Sequence, residues 1–337
     1  MEFVLFDLED VLSDYVNKQD VFVIIRSVGE RSEYLCQDLI SEQVPEENIA
    51  IVRNKTPFSA ALTESYRIGI EMDFKWTLCV DADVLLRPGA IAKLLYFAEQ
   101  QDEKVCGLQG YILDKFFGGP RCAGNHLYRT SYLEKILKIV PTKGEPIRPE
   151  SVILETMVEE GYPWKIVPYL IGLHDFEQYY RDIYRKCFVH SHKHQAFIEL
   201  FLSHWRDKAS TDIDYQVAVK GFANGIEHYG QVLIDTEQKI YQEGFSRLGL
   251  EEKEKLSVGL SLRDIEAIIS NWVEPEIYQI KYPTKMGLSG SEERLLPTRD
   301  WFIKRSQQLG LVKIIPYAIG WLFTRIGKAI LRLTNSQ

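Results

Sequence analysis

Between residues 20 and 175 short apolar runs alternate with segments of helical periodicity, and this alternation limits the folds open to the chain. VFVIIRS (Val21–Ser27), IAIVRN (Ile49–Asn54) and WTLCVD (Trp76–Asp81) read as strands. Between them, SEYLCQDLIS (Ser32–Ser41) and a segment from Pro57 to about Met72 read as helices. Ser32 suits an N-cap, and Pro57 suits a first helical turn. AIAKLLYFAEQ predicts a further helix after the third strand. VCGLQGYIL, helices near Thr130–Ile139 and Pro149–Glu160, and the apolar run WKIVPYLIGL follow. Apolar strands separated by helices predict an α/β fold with a mostly parallel sheet flanked by helices.

Residues 176–337 differ. Helical periodicity, aromatic residues and charges dominate there, which predicts a helical C-terminal extension. The expected organisation is a lead-in over 1–19, an α/β domain over 20–180, a helical region over 181–300 and a basic amphipathic helix over 301–337.

An apolar share of 45% with 26% charged residues excludes disordered and fibrous classes. The net charge of −8 supplies no general basic field, so nucleic acid is not an expected partner. Five cysteines without a CxxC pair argue against a disulfide framework and for a reducing compartment. The opening MEFVLFDLEDVLSDY has five acidic residues and no basic n-region, unlike a secretory signal. Charge is uneven, however: residues 301–337 hold six basic residues and no acidic one. The longest uncharged run there, Ile314–Thr324, is 11 residues, short of the roughly 20 a spanning helix needs. Apolar residues from Leu311 to Leu333 share helical spacing, with Arg325, Lys328 and Arg332 on another face. This profile predicts an in-plane contact of residues 310–333 with an anionic membrane surface, on a cytoplasmic protein peripheral to the inner face of the cell membrane. The competing expectation is a helix packed on the body.

The chemistry is expected at the end of the third strand. Asp81-Ala82-Asp83 follows TLCV directly, and ligands of open α/β sheets bind at the carboxyl ends of strands. Two carboxylates at that spacing suit a hard divalent cation, Mn2+ or Mg2+, bridging to a diphosphate.

In context this stretch, VDADVLLRPGAIAKLL, resembles the family 2 glycosyltransferases and related enzymes of the GT-A, nucleotide-diphospho-sugar transferase, fold with its DxD motif. Two more blocks carry the resemblance. GGPRCAGNHLYRTSYLEKI matches a glycine-asparagine segment followed by a basic residue and a helix. In RPESVILETMVEEGYPWKIVPYLIGLHD, Glu150 falls on an acidic position before the Gly161-Tyr162 pair, and His174 falls on the family's histidine. The resemblance covers about Val21 to His174. It implies a metal-dependent glycosyltransferase taking a nucleotide-sugar donor, on family habit a UDP-sugar, to a glycan or lipid-linked acceptor with inversion, as in surface polysaccharide assembly. It implies Glu150 as catalytic base, Asp81, Asp83 and His174 as the metal set, and Arg26, Ser27, Glu30, Arg53, Arg67 and Ala82 around the nucleotide. It further implies Asn125, Arg181 and Arg185 near the acceptor or diphosphate. Asp175 is an alternative ligand, and Lys186 could meet a diphosphate. Three departures stand out: Pro149 replaces the first acid of the family's pair, Arg53-Asn54-Lys55 replaces the aspartate that reads the base, and Asp182 follows Arg181 where processive members have tryptophan.

Three other readings compete. VLFDLEDVLSD resembles the nucleophile motif of haloacid-dehalogenase phosphatases with Asp7 as nucleophile, but Glu9 stands where that family has aspartate. A non-catalytic sugar-nucleotide-binding scaffold would not need Asp81, Asp83 and His174 together. His190 and His194 would share a helix face as zinc ligands can, without a carboxylate or cysteine at suitable spacing.

Overall fold

A computed structural model describes residues 20–141, 148–194, 198–236 and 238–272. The lead-in with Asp7, and the basic tail expected over 301–337, lie outside the described residues.

An eight-stranded sheet forms the centre. Its strands are β1 (Val21–Ser27), β2 (Ile49–Arg53), β3 (Trp76–Asp81), β4 (Val84–Leu86), β5 (Gly107–Asp114), β6 (Gly119–Arg121), β7 (Asn125–Arg129) and β8 (Trp164–His174). They run in the order β2-β1-β3-β7-β5-β8-β4, with β6 paired to β5. Strands β1, β2, β3, β5 and β8 point one way, while β4, β6 and β7 oppose them. The sheet is therefore mixed, with most strands in one direction, as the alternation in the sequence predicts.

Ten helices are described: α1 (Glu33–Ser41), α2 (Phe58–Met72), α3 (Ala90–Glu99), α4 (Leu133–Leu137), α5 (Pro149–Glu159), α6 (Tyr180–Lys193), α7 (Ile198–Lys208), α8 (Ile213–Ile226), α9 (Lys239–Ser246) and α10 (Leu262–Trp272). Strand β1 shows why the sheet is covered twice. All seven of its residues are buried. Val21, Val23 and Ile25 pack with Leu39 and Ile40 of α1, Leu94 and Leu95 of α3, and Ile265 and Ile269 of α10. The alternate residues Phe22 and Ile24 pack on the other face with Leu62 and Tyr66 of α2, Leu133 of α4 and Met157 of α5. Period-two alternation thus sends one strand into two cores. A third core joins Phe116 and Phe117, in the turn after β5, to Tyr184 and Phe188 of α6, Phe201 and Trp205 of α7, and Phe222 of α8.

Two details position the site. β8 shifts register against β5 between Gly110 and Ile112, close to Pro168, which cannot donate to the ladder. Beyond the shift, Asp114 pairs with His174. On its other side β8 pairs with β4, Val84 opposite His174. Gly172 lets β4 and β8 come close, since a Cβ there would collide with the Leu85 carbonyl.

Candidate active site at the ends of β3 and β8

Asp81 and Asp83 leave the carboxyl end of β3 and part company. In a continuous strand, residues two apart share a face. Here the chain turns at Ala82 and Asp83 before β4 begins. Ala82 is buried, its N–H donates to the Arg26 carbonyl at 2.9 Å, and its own carbonyl accepts from Ser32 Oγ at 2.8 Å. Ser32 therefore precedes α1 as expected but spends its hydroxyl on the β3–β4 turn, not on a helix cap. Gly124, at φ 61°, closes against this turn, where a Cβ would lie 2.6 Å from Val84 Cγ2.

The first group forms around Arg26, buried at the end of β1. Its guanidinium bridges Asp81 Oδ1 at 2.8 Å and Glu150 Oε1 at 2.7 Å. Glu150 Oε1 also lies 3.3 Å from His126 Nδ1. Burial pushes the Glu150 carboxyl up, but Arg26 and His126 outweigh it and hold it below the ordinary value. Asp81 goes the other way, to about 6. Burial and the charges of Glu150 and Asp83 raise it, against the pull of Arg26.

The second group forms around His174. Its Nδ1 lies 2.8 Å from Asp114 Oδ2 and 3.0 Å from Asp175 Oδ2, and its Nε2 lies 3.4 Å from Asp83 Oδ1. Register explains the gathering: Asp114 and His174 are partners on β5 and β8, and the Asp175 N–H donates to the Asp83 carbonyl at 3.2 Å. Lys186, reaching in from α6, contacts both Asp83 Oδ2 and Asp175 Oδ1. Arg121 Nε meets Asp114 Oδ2 at 2.5 Å. Burial alone would raise the Asp83 and Asp175 carboxyls, yet Lys186 and His174 bring both below the ordinary range. Burial would likewise lower the His174 imidazole, but Asp175, Asp83 and the hydrogen bond to Asp114 raise it to about 9.

Among the described residues, Asp83, His174 and Asp175 form a buried set whose potential ligand atoms all lie within 4.8 Å of one another. Two carboxylates and an imidazole can together hold a divalent ion. Asp83 Oδ1 and Asp175 Oδ2 are buried and face only the His174 ring nitrogens, at 3.4 and 3.0 Å, without a hydrogen bond of good geometry among the described residues. The donor set fits a divalent ion, with His174 giving up its Nε2 proton to ligate. Asp81 is not in this set. It belongs to Arg26.

The other expected residues scatter. Ser27 Oγ, with one proton to give, lies 2.8 Å from Glu30 Oε2 and also contacts Glu33. Glu30 also accepts from the Val28 N–H at 2.8 Å. Arg53 pairs with Glu33 at 2.8 Å and is half exposed. Arg67 is exposed on α2. Asn125 is buried inside the sheet, accepting from the Gly110 N–H at 2.8 Å and donating to the Gly110 carbonyl at 3.2 Å. Arg181 lies half exposed over the Tyr179 ring, 4.2 Å from its centroid. Arg185 Nη1 donates to the Ile234 carbonyl at 2.9 Å. His190 and His194 stand with rings 5.0 Å apart against Phe117 and Phe201, as members of an aromatic cluster. Residue types alone did not point to Asp114 and Arg121. The apolar run before Asp114 was visible, but its pairing with His174, 60 residues on, is a property of register.

No protein family profile matches the chain, and no curated protein does. Among solved structures, the chain is similar to a mannosyltransferase from Pyrobaculum calidifontis in complex with GDP-mannose and Mn2+. That match has 11% identity and a TM-score of 0.36, covering 77% of this chain and 81% of that one. It is similar also to glucosyl-3-phosphoglycerate synthase from Mycobacterium tuberculosis in complex with phosphoglyceric acid, at 10% identity and TM-score 0.37, over 60% and 85% of the two chains. A glycosyltransferase involved in glycosylating the major capsid of PBCV-1 matches at 12% identity and TM-score 0.33, over 46% and 94%. At such scores the chain's own geometry has to carry its function.

Proposed function

We propose that the chain is a glycosyltransferase that uses a nucleotide-sugar donor and a divalent cation. The observation that supports this most is the joining of the β3–β4 turn to the end of β8, which sets Asp83 beside His174 and Asp175 at the carboxyl edge of the sheet. Ligands of open α/β sheets bind at such an edge. Asp83, His174 and Asp175 would hold the ion. When bound, Mn2+ or Mg2+ supplies Lewis-acid stabilisation of the charge on a departing diphosphate. Arg26 fixes Asp81 and Glu150 relative to each other. Both described contacts to Glu150 fall on Oε1, and in this reading Oε2 accepts the proton of the acceptor hydroxyl. Its lowered pKa keeps it ionised and makes it a modest base. Asp81, half-ionised near pH 6, orients the donor ribose.

The finer reading takes a UDP-sugar as donor and a glycan or lipid-linked acceptor, transfers with inversion, and belongs to surface polysaccharide assembly at the cytoplasmic face of a membrane. It divides the chain at residues 20, 181 and 301. Among the described residues, no helix is long and apolar enough to cross a membrane.

Melting the full chain against a panel of nucleotides and nucleotide sugars, with and without Mn2+, tests the class. Binding to the native state raises the melting temperature by linkage. One nucleoside diphosphate and its sugar should raise it only with metal, and the rise should vanish in Asp83→Ala. No response to any nucleotide would overturn the reading.

A further inference from the structure

The metal set contains a cation of the chain's own. Lys186 lies in the middle of α6, between Tyr180 and Lys193, and its Nζ contacts Asp83 and Asp175 together. These are two of the three side chains that would hold a divalent ion. The lysine is largely shielded, at 11% exposure, and the two aspartates are at 8% and 0%. A divalent ion bound to both carboxylates would stand where the ammonium stands.

We propose that Lys186 is the resident cation of this site, and that its ammonium and a divalent metal occupy the Asp83–Asp175 pair in exclusion of one another. This rests on the reading of Asp83, His174 and Asp175 as a metal set, and not on the identity of the donor. Charge balance supports it. Three buried carboxylates, Asp83, Asp114 and Asp175, face Lys186, Arg121 and the His174 imidazole. Lys186 and Arg121 already offset two of these three carboxylates by direct ion pairs, so two further positive charges are resisted while the ammonium remains. Lysine suits the exchange because its charge sits on a flexible four-carbon stem, so Nζ can leave without displacing α6. Arg121 is held instead by its own pairing to Asp114.

The test is a Mn2+ titration of the full chain without nucleotide, followed by the paramagnetic resonance of the free aqueous ion. Lys186→Met should bind Mn2+ about tenfold more tightly than wild type, as expected when a competing cation coupled to the site is removed. Lys186→Gln keeps a hydrogen-bond donor toward the carboxylates and should fold even where the methionine variant is loosened. It should also bind more tightly. Adding Asp83→Asn to either variant should abolish the gain, which locates the ion at this site. Equal or weaker Mn2+ binding in both lysine variants would overturn the proposal. A chain that binds Mn2+ in this pattern but responds to no nucleotide would keep it and lose the transferase reading.

Discussion

Glu30 sits where the loop after β1 approaches the acidic set, partly buried, its Oε2 accepting from Ser27 Oγ and the Val28 N–H. Burial first, and the charge of Asp83 second, raise its carboxyl to about 7. In an unfolded chain it titrates near the ordinary glutamate value of 4.5. Between these values the folded chain holds a proton that the unfolded chain has released. Stability therefore falls as pH rises from 4.5 to 7, by up to about 3 kcal/mol, and the loss is complete above pH 7. Glu30→Gln should remove this slope and stabilise the chain most at pH 8. Urea midpoints from pH 4.5 to 8 for the two proteins would show it. Curves that stay parallel would mean that Glu30 titrates as an ordinary carboxylate. At this same scale, the sequence showed the acids after β3 and the histidine closing β8, because a strand followed by DAD and a terminal histidine are local signals. It showed Lys186 only as a charge near a diphosphate. What Lys186 contacts depends on α6 packing back onto the sheet, which no local pattern encodes.

At the scale of elements, legibility followed burial. β1, β3, α2 and α3 were readable because continuous apolar runs and helical periodicity mark them directly. β4 and β6 have three residues each, too short for any period to register. In the sequence β7 reads as part of a glycine-asparagine segment, yet it runs antiparallel between β3 and β5. Its first residue explains how that insertion is held. The Asn125 amide accepts from the Gly110 N–H and donates to the Gly110 and Ala123 carbonyls, inside the sheet and away from solvent. Asn125→Ala leaves a buried N–H and carbonyl of Gly110 short of these partners. Each such loss costs about 1–3 kcal/mol, so the variant should lose about 3 kcal/mol of stability in chemical denaturation. A variant of unchanged stability that fails to bind donor or acceptor would instead return Asn125 to the contact role that the sequence resemblance implies.

The whole molecule turns on α6. Its Ile183, Tyr184, Cys187 and Phe188 pack in the third core, whereas its Lys186 enters the acidic set at the edge of the sheet. The turn after β5 makes the return connection: Phe116 and Phe117 enter that same core, and Trp205 Nε1 donates to the Phe116 carbonyl at 2.7 Å. Lys115 also pairs with Asp214 of α8 at 2.5 Å. Sheet and helices thus share buried residues in both directions. Shared burial of this kind predicts one cooperative transition for the described body. Trp76 and Trp164 report from the sheet side and Trp205 from the helical core, all buried. Tryptophan emission and far-ultraviolet dichroism should therefore give a single urea midpoint. Trp205→Ala, which empties a large core site, should cost about 3–5 kcal/mol and move both midpoints together. If dichroism and the remaining tryptophans kept their midpoint in that variant, the helices would be a separately folding unit. The acidic set would then receive its lysine from a neighbour that can leave without unfolding the sheet.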